Sequence, residues 1–292
     1  MRVLVTNDDG VDAVGIQRLA IALAGDDRFD VIVVAPDGDR SGAGASLGVL
    51  GPDGLNARRV NLPDDGAIEA WALDGPPAMC VLAARLGGFG DPPGIVVSGI
   101  NAGMNTGRAI LHSGTVGAAL TAQNFGMSGL SVSLQEGDPW QWDTAAELTV
   151  EVMQVLLEAP PRSVLNLNVP NVPRSSVKDI RWARLAPFGE VRMALLAHDG
   201  DPDSSGAPTR HLSRELKLTE VSFDADTDTG LVRAGYASLT TVVGVVEAWP
   251  DETQIGPPAI HERLTPGAPL QPAHQVPDPD GNAWLRRPAI AT

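Results

Sequence analysis

The sequence is poor in cysteine and in aromatic residues. Its 292 residues include one cysteine, Cys80, so no disulfide can form within the chain. A lone cysteine is typical of proteins kept in a reducing compartment, and we therefore expect a cytoplasmic protein. Phenylalanine, tryptophan and tyrosine together make up only 4% of the residues. The hydrophobic core must therefore consist mostly of alanine, valine, leucine and isoleucine.

Long apolar runs and positive charge are also scarce. No stretch of 18 or more apolar residues occurs, so we expect neither a membrane span nor a membrane partner. The opening "MRVLVTNDDG" reaches acidic residues before an apolar run develops, so no signal peptide is expected. The formal net charge is −15. Such a surface repels polyphosphate backbones, which argues against a nucleic-acid polymer as partner, although a bound divalent cation could still attract a small anion.

Apolar runs alternate with alanine-rich amphipathic segments through about residue 190. Six runs predict strands, at Val3–Thr6, Val31–Ala35, Ile68–Ala72, Ile95–Ser98, Leu130–Leu134 and near Val164–Asn168. Four segments predict helices, at about Ala13–Ala24, Pro76–Leu86, Gly114–Phe125 and Asp143–Glu158. The alternation is typical of α/β proteins, and short continuous apolar strands are typical of a mostly parallel sheet covered on both faces.

The pattern changes from about residue 187. The segment "HDGDPDSSGAPTRH" predicts a loop or disordered lobe, and the alternation in "ELKLTEVSF" predicts a half-exposed strand or hairpin. "VRAGYASLTTVVGVVEAW" predicts a further strand region, and the proline-rich residues 251–292 predict an extended arm or disordered tail. We therefore expect a core at 1–190, a hairpin and return strand at 191–250, and an arm at 251–292.

Two adjacent carboxylates, Asp8 and Asp9, follow the first predicted strand in "NDDG". Successive side chains on a straight strand point to opposite faces, so the two can converge only if the backbone turns, and Gly10 allows that turn. The carboxyl end of such a strand is where open α/β sheets bind ligands, and carboxylate oxygens suit Mg²⁺ or Mn²⁺. The alternative is a solvated turn that caps the next helix.

Three more polar, glycine-rich segments follow strands or open a helix. "APDGDRSGAGASLG" could form an anion-binding nest, with Ser41 and Gly42 in it, or a flexible surface loop. "VVSGINAGMNTG" carries Asn101 and Asn105, which offer amide oxygens and nitrogens. "LHSGTVGAA" places Ser113, Gly114 and Thr115 at a helix start, which is either a phosphate site or an ordinary N-cap.

Together these segments predict one pocket, because the loops at the carboxyl ends of parallel strands gather on one edge of the sheet. Two carboxylates, an asparagine, serines and a helix start in one place suit metal-assisted hydrolysis of a phosphoester, in which the metal lowers the pKa of an attacking water. His112 could donate a proton to the leaving group, although a lone histidine near a helix start is more often structural.

Other motifs are weaker. "FDADTDTG" contains D-x-D-x-T, as in aspartyl-phosphate phosphatases, but acids that cap a helix at Thr229–Ala234 are the simpler interpretation. Cys80 lies in the apolar pattern "AMCVLAARL" and is expected in the core. A non-catalytic anion-binding regulator is the alternative function, and the paired carboxylates argue against it. A dinucleotide-dependent enzyme is disfavoured because no strand–GxGxxG–helix unit occurs.

The ordered motifs "NDDG", "APDxxRSG", "SGINxGxN" and "SGTVGAA" resemble those of the SurE family of nucleoside monophosphatases, as do "WDTAAEL", "LNLNVPNVP" and "DTDTGLVRAGYASLT". The resemblance implies a Rossmann-like three-layer core, a phosphomonoesterase with one divalent metal ion (Mg²⁺ or Mn²⁺), and a homodimer or homotetramer built through C-terminal arms. Its metal ligands fall on Asp8, Asp9, Ser41 and Asn101. Asp9, or water held by it, matches the activating group, and the phosphate motifs fall on Asn7, Ser41, Gly42, Asn105, Ser113, Gly114 and Thr115.

Several positions on the rim of the implied pocket depart from the family pattern. Gly38 stands where the family usually has arginine, Ala45 where histidine or asparagine is usual, and Gly48 where threonine is usual. The implied metal positions match throughout. We therefore expect hydrolysis to be retained, with either a nucleoside monophosphate or a sugar or specialised-metabolite phosphate as substrate.

Overall fold

The computed structural model describes residues 1–48, 54–63, 67–187, 191–200, 209–218 and 222–245. Every element named below lies in Met1–Val242, which form one compact unit. The strands are β1 (Arg2–Thr6), β2 (Asp30–Pro36), β3 (Ala57–Val60), β4 (Glu69–Leu73), β5 (Ile95–Ala102), β6 (Ser128–Leu134), β7 (Val164–Val169), β8 (Ile180–Trp182), β9 (Val191–Gly200), β10 (Thr209–Leu218) and β11 (Ala237–Thr241). The α-helices are α1 (Val14–Ala24), α2 (Pro77–Arg85), α3 (Gly114–Asn124), α4 (Trp142–Glu158) and α5 (Asp228–Arg233).

Nine of the described strands form one sheet in the order β3-β4-β2-β1-β5-β6-β7-β11-β8. The six strands from β4 to β7 in this order run parallel to one another, whereas β3 and β11 are antiparallel to β4 and β7. The expected α/β fold with a mostly parallel sheet is therefore confirmed. In the part of the chain that is described, no helix is both long and apolar enough to cross a membrane.

The sheet is covered on both faces, as its apolar strands require. Val3 and Val5 of β1 pack with Ile16 of α1 and Leu148 of α4 in one buried cluster. Leu4, between them, packs on the other face with residues of α2 and α3. Because neighbouring side chains on a strand point to opposite faces, the continuous apolar run in β1 serves two helical layers at once.

The neighbouring strands β1 and β5 are parallel, but the side of the sheet to which the chain adds its next strand reverses between them. From β1 the chain continues to β2 on one side, and from β5 it continues to β6 on the other. The helices that follow, α1 and α3, lie on opposite faces of the sheet. Such a switch point leaves a crevice at the carboxyl ends of the two strands, where open α/β sheets bind ligands. Asp8 and Asn101 belong to these two strand ends.

The six predicted strands and four predicted helices are all present, with ends within a few residues of the expected ones. Sequence reasoning missed β3 and β8. β3 reads "ARRV" at the edge of the sheet and β8 has three residues, so neither shows an apolar period. The expected strand region at 232–249 was too long, because its first residues belong to α5 and the described strand is Ala237–Thr241.

The prediction of a loop over 198–211 was wrong at both ends. β9 and β10 form an antiparallel hairpin in which Gly200 pairs with Thr209 and His198 pairs with His211. The stretch from His198 to His211 shows no apolar alternation, so only the pairing of β9 with β10 reveals that the two strands extend into it. The strand expected within 215–223 instead covers Thr209–Leu218. The predicted arm at 251–292 lies outside the described residues.

Candidate active site

The turn after β1 is held by Asn7, whose side chain is fully buried. The Asn7 Nδ2 atom donates to the Gly10 carbonyl at 2.8 Å, and the Gly10 N–H donates to Asn7 Oδ1 at 3.2 Å. Gly10 has a φ of +99°, in the left-handed region that favours glycine. The chain can therefore turn directly after the strand, as predicted. The amide of Asn7 is engaged by Gly10, and its role in phosphate binding stays a prediction.

Asp8 lies under the first turn of α3 and is only 3% exposed. The Thr115 hydroxyl donates to Asp8 Oδ1 at 2.5 Å, and the N–H groups of Gly114 and Thr115 also bond to this carboxyl group. Burial raises the pKa of Asp8, and these hydrogen bonds oppose the rise. The helix start that the sequence suggested for phosphate thus contacts a carboxylate of the protein.

Asp9 is half-buried beside Asp8. Burial, and then the charge of Asp8, raise the pKa of Asp9 to about 6, and the charge of Asp39 acts in the same direction. A hydrogen bond from the Ala102 N–H lowers it and places the Asp9 carboxyl group at the end of β5. The two adjacent acids therefore do repel each other, and a bound cation would offset that repulsion.

Asn101 brings a neutral oxygen to the same place from β5. Its Nδ2 donates to the Gly103 carbonyl at 2.6 Å, and its Oδ1 lies 3.4 Å from the Thr115 hydroxyl. One hydroxyl thus touches oxygens of both Asp8 and Asn101, which come from neighbouring strands. With its nitrogen already bonded, Asn101 can offer the oxygen to a cation.

Ser41 and Gly42 lie on an exposed loop after β2. The Arg40 N–H donates to the Asp8 carbonyl at 2.7 Å, and the Gly44 N–H donates to the His112 carbonyl at 3.2 Å. The Ser41 hydroxyl bonds to Asp39 at 2.5 Å. The loop is therefore attached to both the β1 turn and the segment before α3.

Asn105 and Ser113 support the loops around the site. The Asn105 Nδ2 donates to Ser133 at 2.9 Å, and the Asn105 N–H and carbonyl bond to the Asn168 side chain at 2.8 and 2.9 Å. Ser113 is the N-cap of α3, because its hydroxyl accepts the Val116 N–H at 3.2 Å. The N-cap interpretation of Ser113 is confirmed, and phosphate binding by Asn105 or Ser113 stays a prediction.

Comparison with known proteins identifies the family. The model of the family described as survival protein SurE matches residues 3–189. The chain belongs to the SurE family. It is 38% identical over 250 residues to a 5'-nucleotidase SurE of Pseudomonas entomophila, covering 82% of this chain and 91% of that protein. It is 37% identical over 249 residues to a 5'/3'-nucleotidase SurE of Erwinia tasmaniensis, covering 83% and 90%.

A solved structure shows the same fold. The crystal structure of SurE from Aquifex aeolicus superposes with a TM-score of 0.66 at 31% identity, and covers 83% of this chain and 93% of that chain. The resemblance seen in the sequence motifs is therefore confirmed, and so is the Rossmann-like architecture it implied.

Two residues around this SurE site were missed from the sequence. Asp39 was passed over because it looked like one more loop acid, yet it binds Ser41. Asp228 is fully buried and accepts the N–H groups of Gly107, Ala186 and Thr229 at 2.7, 2.9 and 2.8 Å. The polar alternation in "LNLNVPN" was the available signal for the asparagines that hold Asn105.

Other candidates of the sequence take structural positions. "FDADTDTG" is a helix start, as the simpler interpretation held, but the cap is Thr227, which accepts the Gly230 N–H, and not an acid, and α5 begins at Asp228. Asp226 pairs with Arg184 instead. Burial raises the pKa of the Cys80 thiol to about 12, which fits a core residue and not a nucleophile. His112 is exposed, and its catalytic role stays a prediction.

The donors at this site fit a hard divalent cation. Among the residues described, no group of three or more histidine, cysteine, aspartate or glutamate side chains is placed to hold a metal. The set implied by the family resemblance instead consists of two carboxylates, one amide oxygen and one hydroxyl, all of them oxygen donors. The structure brings Asp8, Asp9 and Asn101 together and leaves the Ser41 hydroxyl bonded to Asp39 on the exposed loop. Such a set suits Mg²⁺ or Mn²⁺, which commonly bind few protein ligands and leave room for substrate oxygens.

Proposed function

We propose that this chain is a metal-dependent phosphomonoesterase that acts on small phosphate monoesters. The relatives named above are called 5'-nucleotidase or 5'/3'-nucleotidase SurE. The observation that carries the proposal is the cluster of Asp8, Asn101 and Thr115 at the switch point of the sheet, with Asp9 beside it. A pure anion-binding protein would gain nothing from two carboxylates beside a phosphate, since like charges repel.

Asp8, Asp9, Ser41 and Asn101 would hold one Mg²⁺ or Mn²⁺ ion. When bound, the ion supplies Lewis acidity and makes an attacking water more acidic. Asp9 is the partly exposed acid of the pair and is our candidate to accept the proton of that water. Asp8 is bonded to the start of α3 and has a fixed orientation, so it is suited to holding the ion in place.

The substrate's organic group would meet the loop of residues 37–48. Its departures from the family pattern leave small residues on this rim: Ala45 is exposed, and Gly48 has a φ of +74° that a β-branched threonine would strain. We propose that this loop selects between a nucleoside monophosphate and a sugar or metabolite phosphate. Smaller rim side chains favour a bulkier or differently shaped organic group.

The test is phosphate release from a panel of nucleoside monophosphates and sugar phosphates, with Mg²⁺, with Mn²⁺ and with chelator. The variant is Asp9→Asn, and the control is Asp27→Asn, an exposed acid in the turn between α1 and β2. We expect metal-dependent release that is lost in Asp9→Asn and kept in the control. Release that persists in chelator, or none from any compound by a folded protein, would contradict the proposal. A clear preference for ordinary nucleoside monophosphates would remove only the suggestion of an altered substrate.

We also propose a homodimer or homotetramer, with residues 191–250 and 251–292 as the association region and 1–190 as the catalytic core. The β9–β10 hairpin forms a sheet of its own in the described structure. Because a two-stranded hairpin is marginally stable alone in water, it would gain from packing on a second copy. A monomer in sedimentation analysis of the full chain would contradict this proposal. A cytoplasmic location remains a prediction, to be tested by cell fractionation.

A further inference from the structure

Ser41 is the least constrained of the four candidate metal ligands. It is exposed on the loop after β2, next to Gly42, which has a φ of +84° and no neighbouring atom within 4 Å of an added Cβ. A serine hydroxyl rotates freely, and its hydrogen must point away from a cation for the oxygen to bind it. Some other group must therefore fix the Ser41 side chain if it is to serve as a ligand.

Asp39 supplies that group. Its Oδ1 atom accepts the Ser41 hydroxyl at 2.5 Å and the Ser41 N–H at 2.8 Å. The hydroxyl hydrogen is thereby used, and the lone pairs of the oxygen are left available. Partners that bond to a metal ligand in this way orient it and raise its affinity for the metal.

The backbone of the surrounding loop is attached at two points, and one of them, Arg40, lies between Asp39 and Ser41. The Arg40 N–H bonds to the Asp8 carbonyl, and the Gly44 N–H bonds to the segment before α3. The side chains of Asp39 and Ser41 are nevertheless both exposed, so packing does not determine the Ser41 rotamer. The two hydrogen bonds to Asp39 are the contacts that can fix this rotamer.

Asp39 also adds charge to the site. It directly precedes Arg40, whose N–H bonds to the Asp8 carbonyl at 2.7 Å, so Asp39 lies beside the turn that carries Asp8 and Asp9. A third negative charge beside the Asp8–Asp9 pair disfavours an empty site and favours a divalent cation.

We propose that Asp39 is a positioning residue for the cation site: it orients the Ser41 hydroxyl as a ligand and adds a negative charge beside Asp8 and Asp9. The inference rests on the proposed function, because it concerns the same metal ion. Asp39 itself need not touch the ion or the substrate. The simpler interpretation is a turn-forming aspartate, which would leave metal affinity unchanged.

The test measures Mn²⁺ binding to the full chain by titration calorimetry. Asp39→Ala removes both the bonds and the charge, whereas Asp39→Asn keeps an oxygen acceptor and removes only the charge. Asp37→Asn is the matched control, because Asp37 is an exposed acid two residues away that pairs with Arg40. Melting of the metal-free proteins checks folding, and Asp39→Asn carries the test if Asp39→Ala does not fold.

We expect Asp37→Asn to bind Mn²⁺ within about twofold of the unaltered protein and Asp39→Ala to bind at least about tenfold more weakly. Asp39→Asn should fall between them. In a Ser41→Ala background, Asp39→Ala should weaken binding no more than Asp39→Asn does, because no hydroxyl remains to orient.

Three results would overturn the inference. The first is that Asp39→Ala or Asp39→Asn binds Mn²⁺ as tightly as the control. The second is that Asp39→Ala and Asp39→Asn lose the same amount of Mn²⁺ affinity. The third is that Asp39→Ala weakens Mn²⁺ binding as much in the Ser41→Ala background as in the unaltered protein. If the unaltered protein bound no Mn²⁺, the proposed function itself would fail. If it bound Mn²⁺ and Asp39→Ala bound it equally well, only the role of Asp39 would fail.

Discussion

Adding one methyl group at Gly114 should disturb the cation site without removing any of its ligands. A Cβ at this position would lie 2.7 Å from both the Cβ and the Oδ2 atoms of Asp8. Ordinary carbon contacts begin near about 3.5 Å, so Asp8 or the start of α3 must move by roughly 1 Å. The Thr115 hydroxyl bonds to the same carboxyl group, so the displacement would also strain that bond.

The expected magnitude follows from two opposing terms. Overpacking of this kind costs about 1–3 kcal/mol of unfolding free energy. Alanine is better than glycine by about 0.5–1 kcal/mol in a helix interior, but Gly114 is the first residue of α3, so a smaller gain offsets part of the cost. We therefore expect Gly114→Ala to lose about 1–2 kcal/mol of stability. Its Mn²⁺ affinity should fall by about tenfold or more, since a misplaced ligand costs more in binding than in folding.

Urea unfolding of the metal-free protein and Mn²⁺ titration measure the two effects separately. Gly38→Ala is the matched control, because its added Cβ meets nothing within 4 Å and its φ is not in the left-handed region. The control should behave as the unaltered protein in both assays. If Gly114→Ala bound Mn²⁺ as tightly as Gly38→Ala, the close packing of α3 on Asp8, or the role of Asp8 as a ligand, would be refuted.

Two further predictions concern acids in and near the site. Because the pKa of Asp9 is raised to about 6 from its usual 3.8, protons compete with the cation below that pH. The rise in melting temperature caused by Mn²⁺ should therefore grow from pH 5 to pH 7 and then level off. In the metal-free protein, protonated Asp9 stabilises the fold at low pH, and this contribution is lost as pH rises through 6. A pH-independent shift would contradict this. Asp228→Asn should lower the unfolding free energy by about 1–3 kcal/mol in urea unfolding, because an amide nitrogen would face a buried N–H. Asp226→Asn, in an exposed ion pair, is the control and should change little; an equal loss in both would contradict the prediction.

The core of the fold could be predicted because its signals are local. Each strand of the parallel part is a short apolar run, and each helix has its own period. β3 could not be predicted, and the hairpin was expected within 191–250 without the bounds of β9 and β10, because pairing partners, and not an apolar pattern, define these strands. Residue type alone could not decide between a loop and a strand at His198 or His211.

In the candidate site, too, some features could be predicted from the sequence and others could not. That Asp8, Asp9 and Asn101 would meet followed from their positions after neighbouring strands of a parallel sheet. That Thr115 would bond to Asp8, and that Asn7 would be engaged by Gly10, did not follow, because hydroxyl and amide groups can serve either the protein or a ligand. Asp39 and Asp228 were missed for a related reason: the sequence does not reveal whether an aspartate bonds to solvent or to backbone N–H groups.

The bond between Asp228 and Gly107 joins residues 121 positions apart and has a consequence for how the chain is made. Every candidate ligand precedes residue 116, so a growing chain carries the whole set early in its synthesis. The segment that begins at Gly107 and leads into α3 gains its tie to Asp228 only after more than a hundred further residues have been added. Contacts so distant in sequence form late and slowly. The newly made protein thus carries all of its candidate ligands well before it can form the bond between Asp228 and the loop at Gly107.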